Sequence, residues 1–150
     1  MQDPSREQGK GAQLPQYFAD QFGWEERTAA VGRVYAGLPP DDQSQAVIFT
    51  NNYGEAGALT FFSGPYHLPP VISGHNNYYL WGPGNVSGAV VIIVGFHDTS
   101  ALQPLFARVE PVGTTHCTYC IDYENNVPIF VARGPKEPIR TLWPRVKHYT

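Results

Sequence analysis

The run Ala89-Val90-Val91-Ile92-Ile93-Val94-Gly95 is the most apolar segment of the chain and is almost entirely β-branched. β-Branched side chains favour extended backbone. The hydrophobicity is continuous rather than alternating, which indicates a strand buried on both faces, as in a parallel sheet covered by helices on each side. We therefore predict that this run is the central strand of the fold.

Helical and extended patterns alternate around this strand. Apolar residues at a three-to-four spacing predict helices, and short apolar runs bounded by Pro, Gly or Asn predict strands. The predicted helices cover residues 24–38, 55–63, 102–109 and 139–143, and the predicted strands cover residues 46–50, 71–72, 89–95 and 129–132. This order predicts an α/β three-layer sandwich with a mainly parallel sheet, Rossmann-like or flavodoxin-like.

The length fits one domain, because a globular chain of 150 residues buries roughly 70% of its unfolded surface. Residues 1–13 are poor in apolar side chains, so we expect a disordered N-terminal segment followed by a single α/β domain over residues 14–150. No stretch approaches the about 18 apolar residues of a membrane span, and residues 1–11 are too polar for a secretory signal. The chain as given is therefore expected to be soluble, and a fragment of a longer protein would look the same.

Charged residues make up only 15% of the chain, which carries a net charge of -3, nine Tyr and three Trp. This composition argues against nucleic acid as a partner and favours neutral, polyhydroxylated ligands. Residues 41–132 contain seven acidic residues against Arg108, whereas residues 133–150 contain five basic residues against Glu137. The basic end is either a surface for phosphates or anionic headgroups, or a solvated tail that offsets an acidic body.

Three polar clusters follow or precede predicted strands. They are Asn51-Asn52-Tyr53-Gly54, the aromatic segment SGHNNYYLWGPG at residues 73–84, and Tyr123-Glu124-Asn125-Asn126. The aromatic segment has no strand or helix periodicity, which predicts a recognition loop. Since ligands bind outside the carboxyl ends of parallel strands, we expect the clusters to form one crevice. The candidate ligand-binding residues are Asn52, Tyr53, Glu55, His75, Asn76, Asn77, Trp81, Glu124 and Asn126.

Other interpretations of these clusters stay open. Residues 51–55 resemble a phosphate-binding turn only loosely, and an Asn that caps the next helix explains them equally well. Glu55 and Glu124 are able to face each other for acid–base work, but His75 has no Ser or Cys partner in a recognisable motif. We therefore assign no catalytic residue, no cofactor and no metal.

The two cysteines, Cys117 and Cys120, form a CxxC pair beside His116. Such a pair is half of a zinc site, a redox pair, or structural cysteines that are free or bridged. Zinc needs two further ligands, and a redox pair typically begins a helix, which the following residues do not predict. Structural cysteines are the favoured interpretation.

Four longer segments resemble a known family. They are LPQYFADQFGW at residues 14–24, NNYGEAGA at 51–58, SGHNNYYLWGP at 73–83, and the closing run from YENNVPIFVARGP at 123–135 to LWPRVKHY at 142–149. Together they resemble the soluble C-terminal domain of bacterial membrane glycosyltransferases related to the dolichyl-phosphate-mannose protein mannosyltransferases. In that family a multi-helix membrane half carries the catalytic acidic residues and takes the sugar from a polyprenyl-phosphate donor. Nothing corresponding to that half is present in this sequence.

The resemblance implies a noncatalytic accessory domain on the extracytoplasmic side of a membrane. Its expected partners are a glycan or lipid-linked sugar acceptor and the transmembrane portion of a glycosyltransferase. Two alternatives remain open at this point. One is a structural or partner-binding module whose polar loops hold each other in place, and the other is a small hydrolase or transferase that uses His75 with Glu55 or Glu124.

Overall fold

The computed structural model describes residues 23–117, 120 and 125–147, and the segment predicted to be disordered, residues 1–13, lies outside them. The strands are β1 (Ala46–Thr50), β2 (Val71–Ser73), β3 (Val90–Val94), β4 (Phe106–Thr114) and β5 (Pro128–Pro135). The α-helices are α1 (Trp24–Gly37), α2 (Pro40–Gln45), α3 (Tyr53–Phe61), α4 (Asn76–Trp81) and α5 (Ile139–Leu142). Short 3₁₀ turns occupy Gly64–Tyr66, Gln103–Leu105 and Trp143–Val146.

Strand β3 lies at the centre of the sheet, whose order is β2-β1-β3-β5-β4. All five of its residues are buried. Val90, Ile92 and Val94 face a core that α1 and α3 cover, and Val91 and Ile93 face a second core on the opposite side. The prediction of a central strand covered on both faces is confirmed.

The sheet is mixed, so the prediction of a mainly parallel, Rossmann-like or flavodoxin-like three-layer sandwich is wrong. β1 pairs in parallel with β2 and β3, whereas β5 pairs antiparallel with both β3 and β4. The antiparallel ladders include the two longest strands and contribute most of the paired positions. An antiparallel pair needs no helical crossover. The chain accordingly passes from β4 directly into its neighbour β5 through the β4–β5 connection, without a helix between them.

Residues 102–109 illustrate this difference, since the helix predicted there is wrong. The segment forms the 3₁₀ turn Gln103–Leu105 and then enters β4. Pro104 lies in the 3₁₀ turn, and Pro111 is tolerated in β4 because β4 is the outermost strand. The register of β4 against β5 shifts between Pro111 and Gly113. The second core still includes Leu102, Leu105 and Phe106. The spacing of these apolar residues therefore reflects their burial and not a helix.

The aromatic segment at residues 73–84 is likewise not a loop, because it contains the end of β2 and the helix α4. A helix of six residues is too short to show a periodic pattern. Tertiary contacts hold it in place: Trp143 stacks on Tyr79 with 5.8 Å between ring centroids. The Trp143 Nε1–H group also donates to the carbonyl oxygen of Tyr79 at 3.0 Å. The C-terminal segment thus stabilises a helix that local sequence does not predict.

The remaining helix predictions agree with the structure within a few residues, as α1, α3 and α5 show. The sequence pattern does not predict helix α2, because Pro39 and Pro40 indicate only the end of α1. Pro40 in fact begins α2, where a missing backbone N–H costs nothing. Gln43 of α2 then donates its side-chain amide to the carbonyl oxygens of Ala36 and Leu38 (3.2 and 2.9 Å), which closes the end of α1.

The second face of the sheet is covered by short segments rather than long helices. A Cβ at Gly74 would overlap the carbonyl oxygen of Val146, and one at Gly88 would overlap the side chain of Ile139. The C-terminal segment therefore packs directly on backbone. Its basic residues also make contacts inside the chain: Arg133 pairs with Asp42 at 2.7 Å and Arg145 with Glu137 at 3.0 Å.

The central sheet provides a test of the packing. Val47 in β1 is fully buried, whereas Val112 in β4 is exposed. We expect Val47→Ala to lower the free energy of unfolding by about 2 kcal/mol, from lost transfer energy and the cavity left behind. The matched change Val112→Ala should cost less than about 0.5 kcal/mol. Urea denaturation followed by circular dichroism measures both values, and equal losses would contradict the burial described here.

Candidate functional site

The predicted site residues lie at one edge of the sheet. β1, β2 and β3 run in the same direction, and β4 shares it because β5 is antiparallel to both β3 and β4. The carboxyl ends of these four strands therefore lie at one edge, together with the β4–β5 connection. After β1 the chain passes to the face covered by α3, and after β3 it passes to the opposite face. In open α/β sheets this divergence is where ligands bind.

Asn52 and Glu55 form a capping box at the start of α3. The Asn52 side chain accepts a hydrogen bond from the Glu55 backbone N–H at 2.9 Å, and the Asn52 N–H donates to Glu55 Oε2 at 3.3 Å. The Thr50 hydroxyl donates to the carbonyl oxygen of Asn52 at 3.0 Å. These bonds satisfy backbone groups that the first turn of a helix leaves open. The interpretation of an Asn that caps the helix therefore explains the first polar cluster.

Glu55 is also one half of a buried ion pair. Arg27 of α1 contacts Glu55 Oε1 at 3.0 Å, and each side chain is only 6% exposed. The Arg27 guanidinium lies 5.2 Å from the centroid of the Trp24 ring. The carboxylate fills the space against Gly95, which follows β3 with a φ of 88°, so closely that a Cβ there would overlap its oxygens. Glu55 and Arg27 thus occupy the point where the chain leaves β1 and β3 in opposite directions.

His75 joins this cluster through its imidazole ring. The Tyr53 backbone N–H donates to His75 Nδ1 at 3.2 Å, and the two rings lie 5.1 Å apart. Nδ1 therefore carries no proton in this arrangement. His75 is buried, and its own backbone N–H donates to the Ser73 hydroxyl at 3.2 Å. The side chain of His75 thus accepts a hydrogen bond from a backbone N–H at the start of α3, and the Tyr53 ring lies tilted against the imidazole ring.

The residues Asn52, Tyr53, Glu55 and His75 are thus brought together, and we call them, with Arg27, the capping cluster. Its bonds use acid and base groups to hold helix and strand ends. The geometry supplies buried contacts rather than an open proton donor and acceptor at a cleft. The capping cluster therefore stabilises the fold. Its exposed member is Tyr53, which is 55% accessible.

Helix α4 carries the next three predicted residues. Asn76 begins it with a φ of 50°, a conformation that Asn tolerates better than most residues. Asn77, Leu80 and Trp81 are exposed on the helix, and Trp81 is 70% accessible. The Tyr78 ring meets the edge of Trp81 at 4.8 Å. Within the described residues, the side-chain amides of Asn76 and Asn77 form no hydrogen bond to the protein.

Asn126 lies at the same edge but at the other end of the sheet. Its side-chain oxygen is 2.7 Å from His116 Nδ1 in the β4–β5 connection. His75 follows β2, and β2 and β4 are the two outer strands. Three to four strand spacings separate the two positions, roughly 14–19 Å. A single small ligand cannot contact both Asn126 and the α4 face, so the candidate residues that the structure describes are divided between these two positions. Glu124 lies outside the described residues.

Arg27 is the member of the capping cluster that the sequence reasoning missed. The sequence nevertheless indicates that Arg27 is buried. Arg27 shares one face of α1 with Trp24, Thr28 and Val31 at a three-to-four spacing. Arg27 and Thr28 are buried together with Val31. An Arg on the apolar face of a helix predicts a buried acidic partner. Glu55 was the acidic residue at the nearest strand end.

Among residues 23–117, 120 and 125–147, no three His, Cys, Asp or Glu side chains are placed to hold a metal ion, and no helix is long and apolar enough to cross a membrane. Asp98, in the turn after β3, accepts hydrogen bonds from the Ser100 hydroxyl and backbone N–H. These bonds hold the pKa of the Asp98 carboxyl below its usual range. Asp98 therefore stays ionised and stabilises its own turn.

Comparison of the chain with models of known protein families, with curated proteins and with solved structures finds no match.

The buried ion pair gives the first prediction for this edge. Arg27→Met should lower the free energy of unfolding by about 3–5 kcal/mol, because it leaves the Glu55 carboxylate buried without its cation. The matched change Arg133→Met breaks the partly exposed pair with Asp42 and should cost about 1 kcal/mol or less. The double variant Arg27→Met with Glu55→Gln should recover part of the loss. Chemical denaturation measures all three, and an Arg27→Met loss no greater than that of Arg133→Met would show that the pair is not buried.

The cap of α3 gives a second prediction. Asn52→Ala should cost about 1 kcal/mol, since the Glu55 N–H loses its acceptor, while Asn52→Ser should retain most of the stability. Neighbouring Asn51 contributes its backbone N–H to Val94, so Asn51→Ala should cost less than about 0.5 kcal/mol. Thermal unfolding compares the three variants. Equal effects at positions 51 and 52 would contradict the assigned cap.

Proposed function

We propose that this chain is a noncatalytic accessory domain of a membrane glycosyltransferase that recognises a glycan or sugar-bearing acceptor through the solvent face of α4. The observation that carries the proposal is Trp81, a tryptophan with 70% of its surface accessible, beside the unpaired amide of Asn77. A large exposed aromatic ring is costly to leave in water and commonly marks a binding surface. We call Tyr53, Asn76, Asn77, Tyr78 and Trp81 the α4 surface.

The chemistry of the α4 surface suits neutral sugars. An aromatic ring offers an apolar face that packs against the C–H face of a pyranose, and a carboxamide offers a donor and an acceptor together for vicinal hydroxyls. The chain has few charged residues, 15% in all, which disfavours a polyanionic ligand. Tyr53 contacts His75, which precedes α4, and Trp81 ends the helix. A helix of six residues is about 9 Å long, so the two rings suit an oligosaccharide rather than one sugar unit.

The resemblance of the chain to glycosyltransferase accessory domains supports the same proposal. The segment NNYGEAGA contains the capping box and Tyr53, and SGHNNYYLWGP contains His75 and all of α4. In the proposed arrangement the domain lies on the extracytoplasmic side of the membrane, beside the transmembrane portion that carries the catalytic acids. The chain itself then presents the acceptor, which would be a glycan or a lipid-linked sugar.

The capping cluster explains why we propose recognition rather than catalysis. A hydrolase or transferase that used His75 with Glu55 would need those groups available to substrate. His75 Nδ1 instead accepts the Tyr53 N–H, and Glu55 is paired with Arg27 and bound to the Asn52 N–H. Freeing either group would expose a buried partner and loosen the start of α3. The geometry therefore disfavours the hydrolase alternative.

A second candidate function is a partner-binding module. Leu80, beside Trp81, is 69% exposed, and its side chain has no hydrogen-bond donor or acceptor for a sugar hydroxyl. An exposed Leu next to an exposed Trp is typical of a protein contact. The transmembrane portion of the parent enzyme is the partner that this candidate would predict.

The double change Asn77→Ala with Trp81→Ala tests the proposal. We expect it to weaken binding to an immobilised oligosaccharide array by at least about tenfold, which corresponds to about 1.4 kcal/mol. The matched control is Phe61→Ala, which removes another exposed ring, 83% accessible, at the far end of α3 on the other face. Circular dichroism should show both variants folded.

Each other outcome points to a definite conclusion. A wild-type protein that binds no sugar on the array contradicts recognition of glycans. An unfolded double variant shows that the α4 surface is scaffold. Retained sugar binding in the double variant removes the α4 surface from the site. Leu80→Ala separates the two candidates, because it should weaken a protein contact while leaving sugar binding within about twofold.

A further inference from the structure

The disulfide between Cys117 and Cys120 lies in the β4–β5 connection, and its two sulfur atoms differ in their surroundings. Cys120 is buried, with 7% of its surface accessible, whereas Cys117 is partly exposed. An external thiol or disulfide therefore meets Cys117 first. This asymmetry is what thiol–disulfide exchange requires, since reaction depends on access to one sulfur atom.

Hydrogen bonds add to the difference between the two cysteines. The Cys120 backbone N–H donates to Cys117 Sγ at 3.1 Å, so a donor is in place for the negative charge that develops on this sulfur when the disulfide opens. Cys120 Sγ lies 3.8 Å from the carbonyl oxygen of Cys117, an acceptor that gives no such stabilisation to negative charge on Cys120. The Cys117 backbone N–H donates to Asn125 Oδ1 at 3.1 Å, which fixes the position of Cys117.

The amino end of α1 lies against the same sulfur atom. A Cβ at Gly23, the residue that precedes α1, would be 2.9 Å from Cys117 Sγ. Helix α1 has 14 residues, and the positive end of its dipole stabilises a nearby anion. Glu25 and Glu26 of the first turn act in the opposite sense, but both are exposed to solvent. Gly23 has no side chain that would separate the helix end from the sulfur.

The disulfide is poorly placed to serve as a structural staple. Its cysteines are three positions apart in the sequence, and closing so short a loop restricts the unfolded chain little. It does not link two elements of the sheet. Its stabilising effect is therefore small compared with that of a bridge between distant segments.

From these contacts we propose that Cys117 and Cys120 form a redox-active dithiol–disulfide site, with Cys117 as the nucleophile and Cys120 as the resolving thiol. The substrate class is an accessible disulfide, of a small molecule or of a protein. The Cys117 thiolate attacks one sulfur of the substrate disulfide, which releases the other as a thiolate and leaves a mixed disulfide. Cys120 then loses its proton to water or buffer, attacks Cys117 Sγ and releases the second substrate thiolate. The two cysteines are oxidised, and the substrate disulfide is reduced to two thiols after protonation.

This activity is independent of sugar recognition. The CxxC sequence alone favoured structural cysteines, because the residues after it do not predict a helix. The helix end that meets Cys117 comes from α1 instead, far away in the sequence. Only the folded chain brings Gly23 and Cys117 together.

The test uses the folded protein with oxidised glutathione as the substrate disulfide. Dithiothreitol first reduces the wild-type protein without denaturant, and gel filtration removes it. We expect the dithiol to reduce oxidised glutathione and to return to the intramolecular disulfide. In Cys120→Ser a glutathione adduct should accumulate on Cys117, at a rate at least about tenfold above that of Cys120 in Cys117→Ser. Mass spectrometry of alkylated peptides measures both rates.

Two further measurements keep the result decisive. In guanidinium the two single variants should react at similar rates, since the surroundings that distinguish the cysteines are lost. Substoichiometric alkylation of the reduced wild-type protein should label mainly Cys117, which tests the asymmetry even where a variant fails to fold. The proposal is overturned if dithiothreitol opens the disulfide only in denaturant, or if both cysteines react equally in the folded protein. Loss of sugar binding would leave these outcomes unchanged.

Discussion

The carboxylate of Glu55 is held by three parts of the chain at once. Arg27 reaches it from α1, the backbone N–H of Asn52 reaches it from the end of β1, and Gly95 after β3 approaches it without a side chain. A charge buried to this depth costs several kcal/mol unless it is paired and hydrogen-bonded. The arrangement of α1 and α3 over the sheet therefore depends on this one group. A shift of any of the three segments would leave a buried charge unsatisfied.

The edge of the sheet therefore carries two kinds of polar groups, those that bond to one another and those that face solvent. The polar groups of the capping cluster are bound to one another, whereas the amides of Asn76 and Asn77 are left to solvent. His75 connects the two, since its ring accepts the Tyr53 N–H and its position begins α4. A rigid base thus presents an exposed aromatic and amide surface. Binding sites built on rigid elements lose less entropy when a ligand binds.

The sequence predicted those elements whose cause is local. The continuous apolar run of β3 indicates burial on both faces. The three-residue spacing of Asn52 and Glu55 indicates the start of a helix. It did not predict α4, because the contact that stabilises that helix is the stacking of Trp143 on Tyr79. The direction of β5 also depends on distant pairing. β5 is antiparallel to β3, with Val91 opposite Ala132, and hydrophobicity alone does not distinguish an antiparallel ladder from a parallel one. Within the site, the structure brings Asn52 and His75 together at the start of α3, whereas Asn126 lies beside the β4–β5 connection.

Helix α1 contacts both the cysteine pair and the buried ion pair. Its amino end lies against Cys117, and Arg27, one turn later, holds Glu55 at the point where β1 and β3 diverge. A change in the position of this helix end would therefore reach both the cysteine pair and the cap of α3. Because the Arg27–Glu55 pair is buried, a displacement of α1 would leave a buried charge without its partner, and this cost opposes the movement. In the redox cycle proposed for Cys117 and Cys120, the ion pair would therefore hold α1 and the start of α3 in place while the disulfide opens and closes.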